Sequence, residues 1–229
     1  MATLKVQGIS KSYNKGKKQV FHSVCLEVGE GECVGIVGPN GSGKTTLLSI
    51  LAGVLPADGG TVTYGDTPLT GGIIRQAVAY VPQEDPLIEE LTVRDNLRLW
   101  YGDRLTGIEQ NTDRLVGILG VSEFIDERVC HLSGGMKKRL SICCAVSSDQ
   151  PVLLMDEPGA SLDLPCKERI CEYLDFRKKR GASIVLATHE EQEIRLCDRL
   201  FLMKDGELKP LDFDGDIRRL AAVLDGRLV

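Results

Sequence analysis

The spacing of apolar positions changes several times along the chain, and each change marks an element. Leu4-Lys5-Val6-Gln7-Gly8-Ile9 alternates and Val20 to Val28 alternates imperfectly, as half-buried strands do, and Gly29-Glu30-Gly31-Glu32 reads as the turn that follows. Between them Lys15-Gly16-Lys17-Lys18 reads as a solvated hairpin loop. Cys33-Val34-Gly35-Ile36-Val37 is unbroken, the pattern of a strand buried on both faces. A glycine-rich loop follows at once, then a helical stretch from Lys44 to Val54. From about Glu84 to Val146 the pattern turns helical. Thr92-x-x-Asp95 suits a helix start, with Leu91, Leu97 and Trp100 for its apolar face. Asp113 to Leu119 and Glu123 to Val129 read as further helical or short connecting pieces. Strand and helix then alternate: Pro151 to Met155 a buried strand, Pro165 to Lys179 a helix, Ala182 to Ala187 a buried strand, Glu190 to Cys197 a helix. Arg199 to Lys209 reads as a hairpin turning at Asp205-Gly206, and residues 212–229 as a short terminal helix. The alternation predicts an α/β chain without repeats or a low-complexity linker.

A length of 229 residues fits one large domain, or a core with a small subdomain. With 42% hydrophobic and 27% charged residues the composition is that of an ordinary globular protein. A net charge of −5 offers no field for a duplex, so no nucleic acid is expected as partner. No apolar run approaches the roughly 20 residues that span a bilayer. The start, Met1 to Val6, has no signal-like apolar stretch, so a cytosolic chain is expected. If it works on a membrane, other subunits supply the spanning helices. The eight cysteines include no C-x-x-C pair and mostly fall in apolar segments. They read as small buried hydrophobes in a reducing compartment rather than as zinc ligands or a disulfide framework.

The chemistry begins at Gly38-Pro39-Asn40-Gly41-Ser42-Gly43-Lys44-Thr45, which matches G-x-x-x-x-G-K-[ST] without a mismatch and sits between a strand and a helix. The glycines let backbone amides and a helix N-terminus face phosphate charge. Lys44 is placed for the β- and γ-phosphates of ATP and Thr45 for Mg²⁺, and the nucleotide-binding stretch includes Thr46. Further on, Val152-Leu153-Leu154-Met155-Asp156-Glu157 puts two carboxylates at the C-terminal end of a buried strand, where α/β sheets bind ligands. Asp156 suits Mg²⁺, usually through water, and Glu157 suits a general base that polarises the attacking water. One acid there would read as a solvated strand end; two after four apolar residues read as a site.

Leu132-Ser133-Gly134-Gly135-Met136, upstream of that strand, resembles the signature motif of the ATP-binding cassette (ABC) ATPases. Other motifs of that family appear in order across nearly the whole chain. The resemblance implies that Tyr13 stacks on adenine and that Gln83, in Tyr80-Val81-Pro82-Gln83, is the Q-loop residue. It makes Gln83 a Mg²⁺ ligand beside Thr45 and Asp156, and a catalytic residue beside Lys44, Glu157 and His189. Ser161-Leu162-Asp163 matches the D-loop and His189, in Ala187-Thr188-His189, the switch histidine. Ser133 reads as the N-cap of a helix running through Arg139 and Cys144. By resemblance, Ser133, Gly134 and Gly135 meet the γ-phosphate of ATP bound to a second copy or partner. Met136 stands where the family most often has Gln. It cannot make the reciprocal bond of a capping box, yet it leaves Ser133 and the amides intact, so hydrolysis is expected to survive. His22 and His131 are read as incidental.

The fold implied is α/β: a P-loop NTPase core with an N-terminal antiparallel β subdomain and an inserted α-helical subdomain. One domain covers 1–229, with core at 1–83 and 147–229 and the helical signature part at 84–146. The function implied is that of an ATP-binding, ATP-hydrolysing subunit of an ABC transporter, peripheral on the cytoplasmic face of the plasma membrane. Its partners would be integral-membrane permease subunits, docking near Gln83 and Glu84 to Leu97, and a second ATP-binding subunit. The alternative is a soluble ABC ATPase acting on nucleic acid or ribosomes. Such members carry coiled-coil insertions, zinc modules or two cassettes, and the sequence shows none of these.

Overall fold

The computed structural model describes residues 2–14, 18–101, 116–146, 150–160 and 162–224. Lys15 to Lys17 of the expected hairpin loop, Asp113 to Leu115 of the expected helical piece, Ser161 of the D-loop and the last five residues lie outside that set. In chain order the elements are β1 (Leu4–Tyr13), β2 (Lys18–Val28), β3 (Cys33–Val37), α1 (Lys44–Leu51), β4 (Gly59–Tyr64), β5 (Thr67–Pro68), α2 (Gly71–Ala77), β6 (Val78–Val81) and α3 (Val93–Tyr101). After two short 3-10 turns, Val121–Phe124 and Val129–His131, come α4 (Gly134–Ala145), β7 (Val152–Asp156), α5 (Leu164–Lys179), β8 (Ser183–Ala187), α6 (Glu191–Leu196), β9 (Arg199–Lys204), β10 (Glu207–Leu211) and α7 (Ile217–Leu224).

They form two sheets. An antiparallel one has the order β2-β1-β4-β5, and a six-stranded one the order β10-β9-β3-β8-β7-β6. In the second, β9, β3, β8, β7 and β6 run parallel and only β10 is antiparallel. Every residue of β3, β7 and β8 is buried, which is why their sequences read as continuous apolar runs. Period two sorts their side chains between two cores. Leu153 and Met155 of β7 pack with Leu140 and Ile142 of α4 and Tyr173 of α5, while Val152 and Leu154 pack with Leu47, Leu48 and Leu51 of α1. The register places Ile36, Ala187 and Asp156 in one row across the sheet. The loops after β3, β8 and β7 therefore emerge side by side along one edge.

Turn chemistry sets other boundaries. Asp205 and Gly206 have φ of 52° and 79°, as a two-residue type I′ hairpin between β9 and β10 requires. Asp163 caps α5 by accepting from Cys166 N at 3.1 Å.

Three expectations are corrected. Residues 84–92 are not helical: Asn96, nearly fully buried on α3, accepts from Ile88 N at 2.9 Å and donates to Ile88 O at 2.9 Å, so its amide holds this segment in an irregular path. Trp100 is 45% exposed; α3 buries Val93, Asn96, Leu97 and Tyr101 instead. Cys25 and Cys130 are exposed, Cys25 because strand alternation turns it outward between buried Val24 and Leu26. Cys33, Cys143, Cys144 and Cys166 are buried as expected, and all eight cysteines are free thiols.

Candidate functional site

The edge defined by that row carries the chemistry. After β3 the chain wraps through the glycine-rich loop, and Gly43, with φ 111°, starts α1. A Cβ on Gly43 would lie 2.8 Å from Val20 Cγ1, so a larger residue has neither the conformation nor the room. Lys44 opens the helix, and its ammonium curls back to donate to Gly38 O at 2.7 Å and Pro39 O at 3.3 Å. Burial pushes its pKa down, against the carboxylates of Glu157 and Asp156, which raise it. Ser42 Oγ is buried with no hydrogen-bond partner among the described residues. Pro39, Asn40, Gly41, Thr45 and Thr46 join these groups in the wall of a cleft of about 820 Å³. Tyr13, 40% exposed at the end of β1, also lines it.

Asp156 ends β7 fully buried, and neither of its carboxylate oxygens has a hydrogen-bond partner among the described residues. Burial raises its pKa, opposed first by the Thr45 hydroxyl and then, among charges, by Lys44. Glu157 follows with φ 49°, a left-handed turn rare for a side-chain-bearing residue, pinned by Glu157 N donating to Ala187 O at 2.8 Å. This turn aims the carboxylate along the strand ends. Gln83, just past β6, donates from Nε2 to Glu157 Oε2 at 3.1 Å, and His189 Nε2 lies 3.7 Å from Oε1. Burial and then the Lys44 ammonium push the His189 pKa below its usual value, which favours a neutral imidazole at neutral pH.

The structure thus gathers Lys44, Thr45, Gln83, Asp156, Glu157 and His189 at one edge. Ser133, Gly134 and Gly135 are not among the residues lining the cleft. Ser133 caps α4, its hydroxyl accepting from Met136 N at 3.3 Å. Nothing lies within 4 Å of where a Gly134 Cβ would stand, whereas one on Gly135 would meet Cys166 Sγ at 2.6 Å. Removing the cap with Ser133→Ala is expected to cost about 1 kcal/mol, read in a urea unfolding curve.

His22 was read from the sequence as incidental, yet it lines the cleft together with Lys18, Gln19 and Val20 of β2 and the Asp205-Gly206 turn. No motif marks these positions. The link is a tertiary one, His22 N donating to Gly206 O at 3.4 Å.

A phosphate-binding loop after a central parallel strand, with an acidic pair at the end of the strand two places along the sheet, defines a P-loop nucleoside-triphosphate site. The family model described as "ABC transporter" matches residues 21–160. The Nod factor export ATP-binding protein I of Rhizobium sp. (strain N33) is 38% identical over 206 residues, 87% of this chain and 67% of that protein. Its namesake from Paraburkholderia xenovorans (strain LB400) is 38% identical over 90% of this chain and 69% of its own length. The chain therefore spans about two thirds of the length of these curated relatives. Among solved structures, an ATP-binding subunit of an ABC transporter superposes with a TM-score of 0.81 at 30% identity, covering 97% of this chain and 94% of that one. A dimeric bacterial ABC transporter cassette gives 0.78 at 29% identity, covering 90% and 96%. The chain belongs to the ABC transporter family, as an ATP-binding subunit with the ATPase activity general to that family. Among the described residues no helix is long and apolar enough to cross a membrane.

Proposed function

We propose that this chain hydrolyses ATP at an interface with a second ATP-binding subunit, and that the cycle drives a solute through separate integral-membrane permease subunits from their cytoplasmic face. One observation carries the reading. The cleft is lined by the Lys44 ammonium and the Glu157 general base, with the buried Asp156 carboxylate beside them at the strand ends, while Ser133-Gly134-Gly135 stands outside it. The site is half complete, and the exposed start of α4 is the half offered to a partner. Two chains facing head to tail would close two such sites, each with ATP between one glycine-rich loop and the other chain's signature.

Each residue has a task in that arrangement. Tyr13 stacks on the base, amides and side chains from Gly38 to Thr46 hold the phosphates, and Lys44 takes the β- and γ-phosphates. Glu157 accepts a proton from the attacking water, with Gln83 and His189 fixing its orientation. His189, held neutral, is suited to donate a hydrogen bond to the γ-phosphate.

Mg²⁺ fits the oxygens present: a buried Asp156 carboxylate without partners, the Thr45 hydroxyl and the Gln83 amide oxygen, completed by phosphates. When bound it would neutralise charge on the phosphoryl oxygens. Permease helices would dock near Gln83 and Glu84 to Leu97, a stretch whose irregular first part, residues 84–92, exposes Ile88. Relatives named for export support an exporter rather than an importer.

The test is association. With Mg²⁺ and slowly hydrolysed ATPγS, light scattering is expected to show the mass rising from one chain to two, and falling back when nucleotide is removed. A mass unchanged at saturating ATPγS would overturn a site shared between two copies of this chain, and one unchanged also with the partner ATP-binding subunit present would overturn the shared-site reading.

A further inference from the structure

Lys137, Lys138 and Arg139 follow one another on α4, and the structure separates their roles. Lys137 is half-buried and meets Glu89 Oε1 at 2.5 Å. Arg139 donates to Leu119 O at 2.9 Å. Lys138 is only 5% exposed, and its ammonium points at the loop after β6. It donates to Pro82 O at 3.1 Å and Gln83 O at 3.0 Å, and lies 2.9 Å from Asp85 Oδ1 in an ion contact not aligned as a hydrogen bond. Two carbonyl acceptors and one carboxylate on one short segment thus surround one buried cation.

Burying an ammonium is costly, and an apolar side chain of similar volume would pack on α4 without that cost. The use of the charge therefore lies in what it holds. It holds the backbone of Gln83, whose side chain reaches Glu157 Oε2 at 3.1 Å. The helix that carries it begins at the Ser133 cap.

We propose that Lys138 is a positioning residue for ATP hydrolysis: it straps the Pro82-Gln83 backbone to the signature helix, holding Gln83 on Glu157 and linking the Ser133 end of α4 to the chain's own catalytic carboxylate. The inference rests on the proposed role of Glu157 in hydrolysis. It adds a residue that touches no part of the nucleotide, and gives α4 a way to act on the cleft without lining it. A mobile Q-loop would leave the carboxylate free to turn off the line of attack, so the loss belongs in turnover and not in nucleotide affinity.

The test compares Lys138→Met, Lys138→Arg, Gln83→Ala and the Lys138→Met/Gln83→Ala double variant with the unaltered full chain, and includes Glu157→Gln as control. Steady-state phosphate release gives kcat, and titration with fluorescent TNP-ATP gives affinity. Lys138→Met is expected to lower kcat about tenfold with TNP-ATP affinity unchanged, and Lys138→Arg to restore most of the rate. The double variant should be no slower than Gln83→Ala alone, since both remove one linkage. Where Lys138→Met does not fold, Lys138→Gln, which keeps a polar head without the charge, carries the same expectation. An unchanged kcat, a parallel loss of affinity and thermal stability, or independent effects in the double variant would each overturn the proposal. Normal turnover by Glu157→Gln would instead overturn the reading on which it rests.

Discussion

Replacing Glu157 by glutamine is expected to lower kcat for ATP by about 10²- to 10³-fold while leaving nucleotide binding intact. The exchange keeps the shape of a side chain already held between Gln83 and His189, so the geometry of the strand ends is preserved. On the proposed role of Glu157, what disappears is an acceptor for the proton of the attacking water. The phosphate-holding groups, Lys44 and the amides of the glycine-rich loop, are untouched. Affinity should hold or rise slightly, because one negative charge leaves a cleft built for an anion. Phosphate release at saturating ATP, set beside a nucleotide titration, separates the two effects. The ATP-bound variant should also remain associated with a second chain for longer than the unaltered protein. Turnover at the ordinary rate would remove Glu157 from the chemistry.

The second large effect concerns pH and a carboxyl behind the site. Glu193 on α6 is 1% exposed, and burial pushes its pKa from 4.5 up to about 7. Its Oε2 accepts from the Thr188 hydroxyl, next to His189, and a Cβ on Gly159 would meet its Oε1 at 2.4 Å. Glu190 raises the pKa further, while the Thr188 hydroxyl, the Gly159 backbone N–H and the Lys167 ammonium oppose it. Between pH 4.5 and 7 the folded chain keeps a proton that the unfolded chain has released. Stability from this group is therefore complete below about 4.5 and is lost as pH rises through about 7. The difference amounts to about 3 kcal/mol. Glu193→Gln, which cannot ionise, should be more stable than the unaltered chain at pH 8 by up to that amount, with the gap narrowing as pH falls towards 5. Urea unfolding at several pH values checks it; parallel pH profiles for the two proteins would show that Glu193 does not titrate in this way.

Much of this was legible in the sequence for physical reasons. β3, β7 and β8 are buried on both faces, so their sequences are continuous apolar runs. The glycine-rich loop and the Asp205-Gly206 turn need backbone conformations that few residues adopt, and they print themselves as glycine. Side chains whose role depends on a distant partner were not legible. Nothing in the sequence marks Lys138 until Pro82, Gln83 and Asp85 are seen around it. His22 looks incidental until the β9–β10 hairpin is folded beside it. Residues 84–92 carry a helical pattern that the Asn96 amide overrides by bonding the backbone of Ile88 twice. Strand order was hidden for the same reason. β7 lies between β6 and β8, and only that order brings Gln83 and His189 to opposite oxygens of Glu157.

The row formed by Ile36, Ala187 and Asp156 also limits how the chain can change in length. A residue inserted within β3, β7 or β8 would advance one loop by about 3.3 Å relative to the other two and turn the strand's side chains to the wrong core. Insertions are therefore tolerable only in the connections, where extra chain leaves the alignment of the three strand ends unaltered.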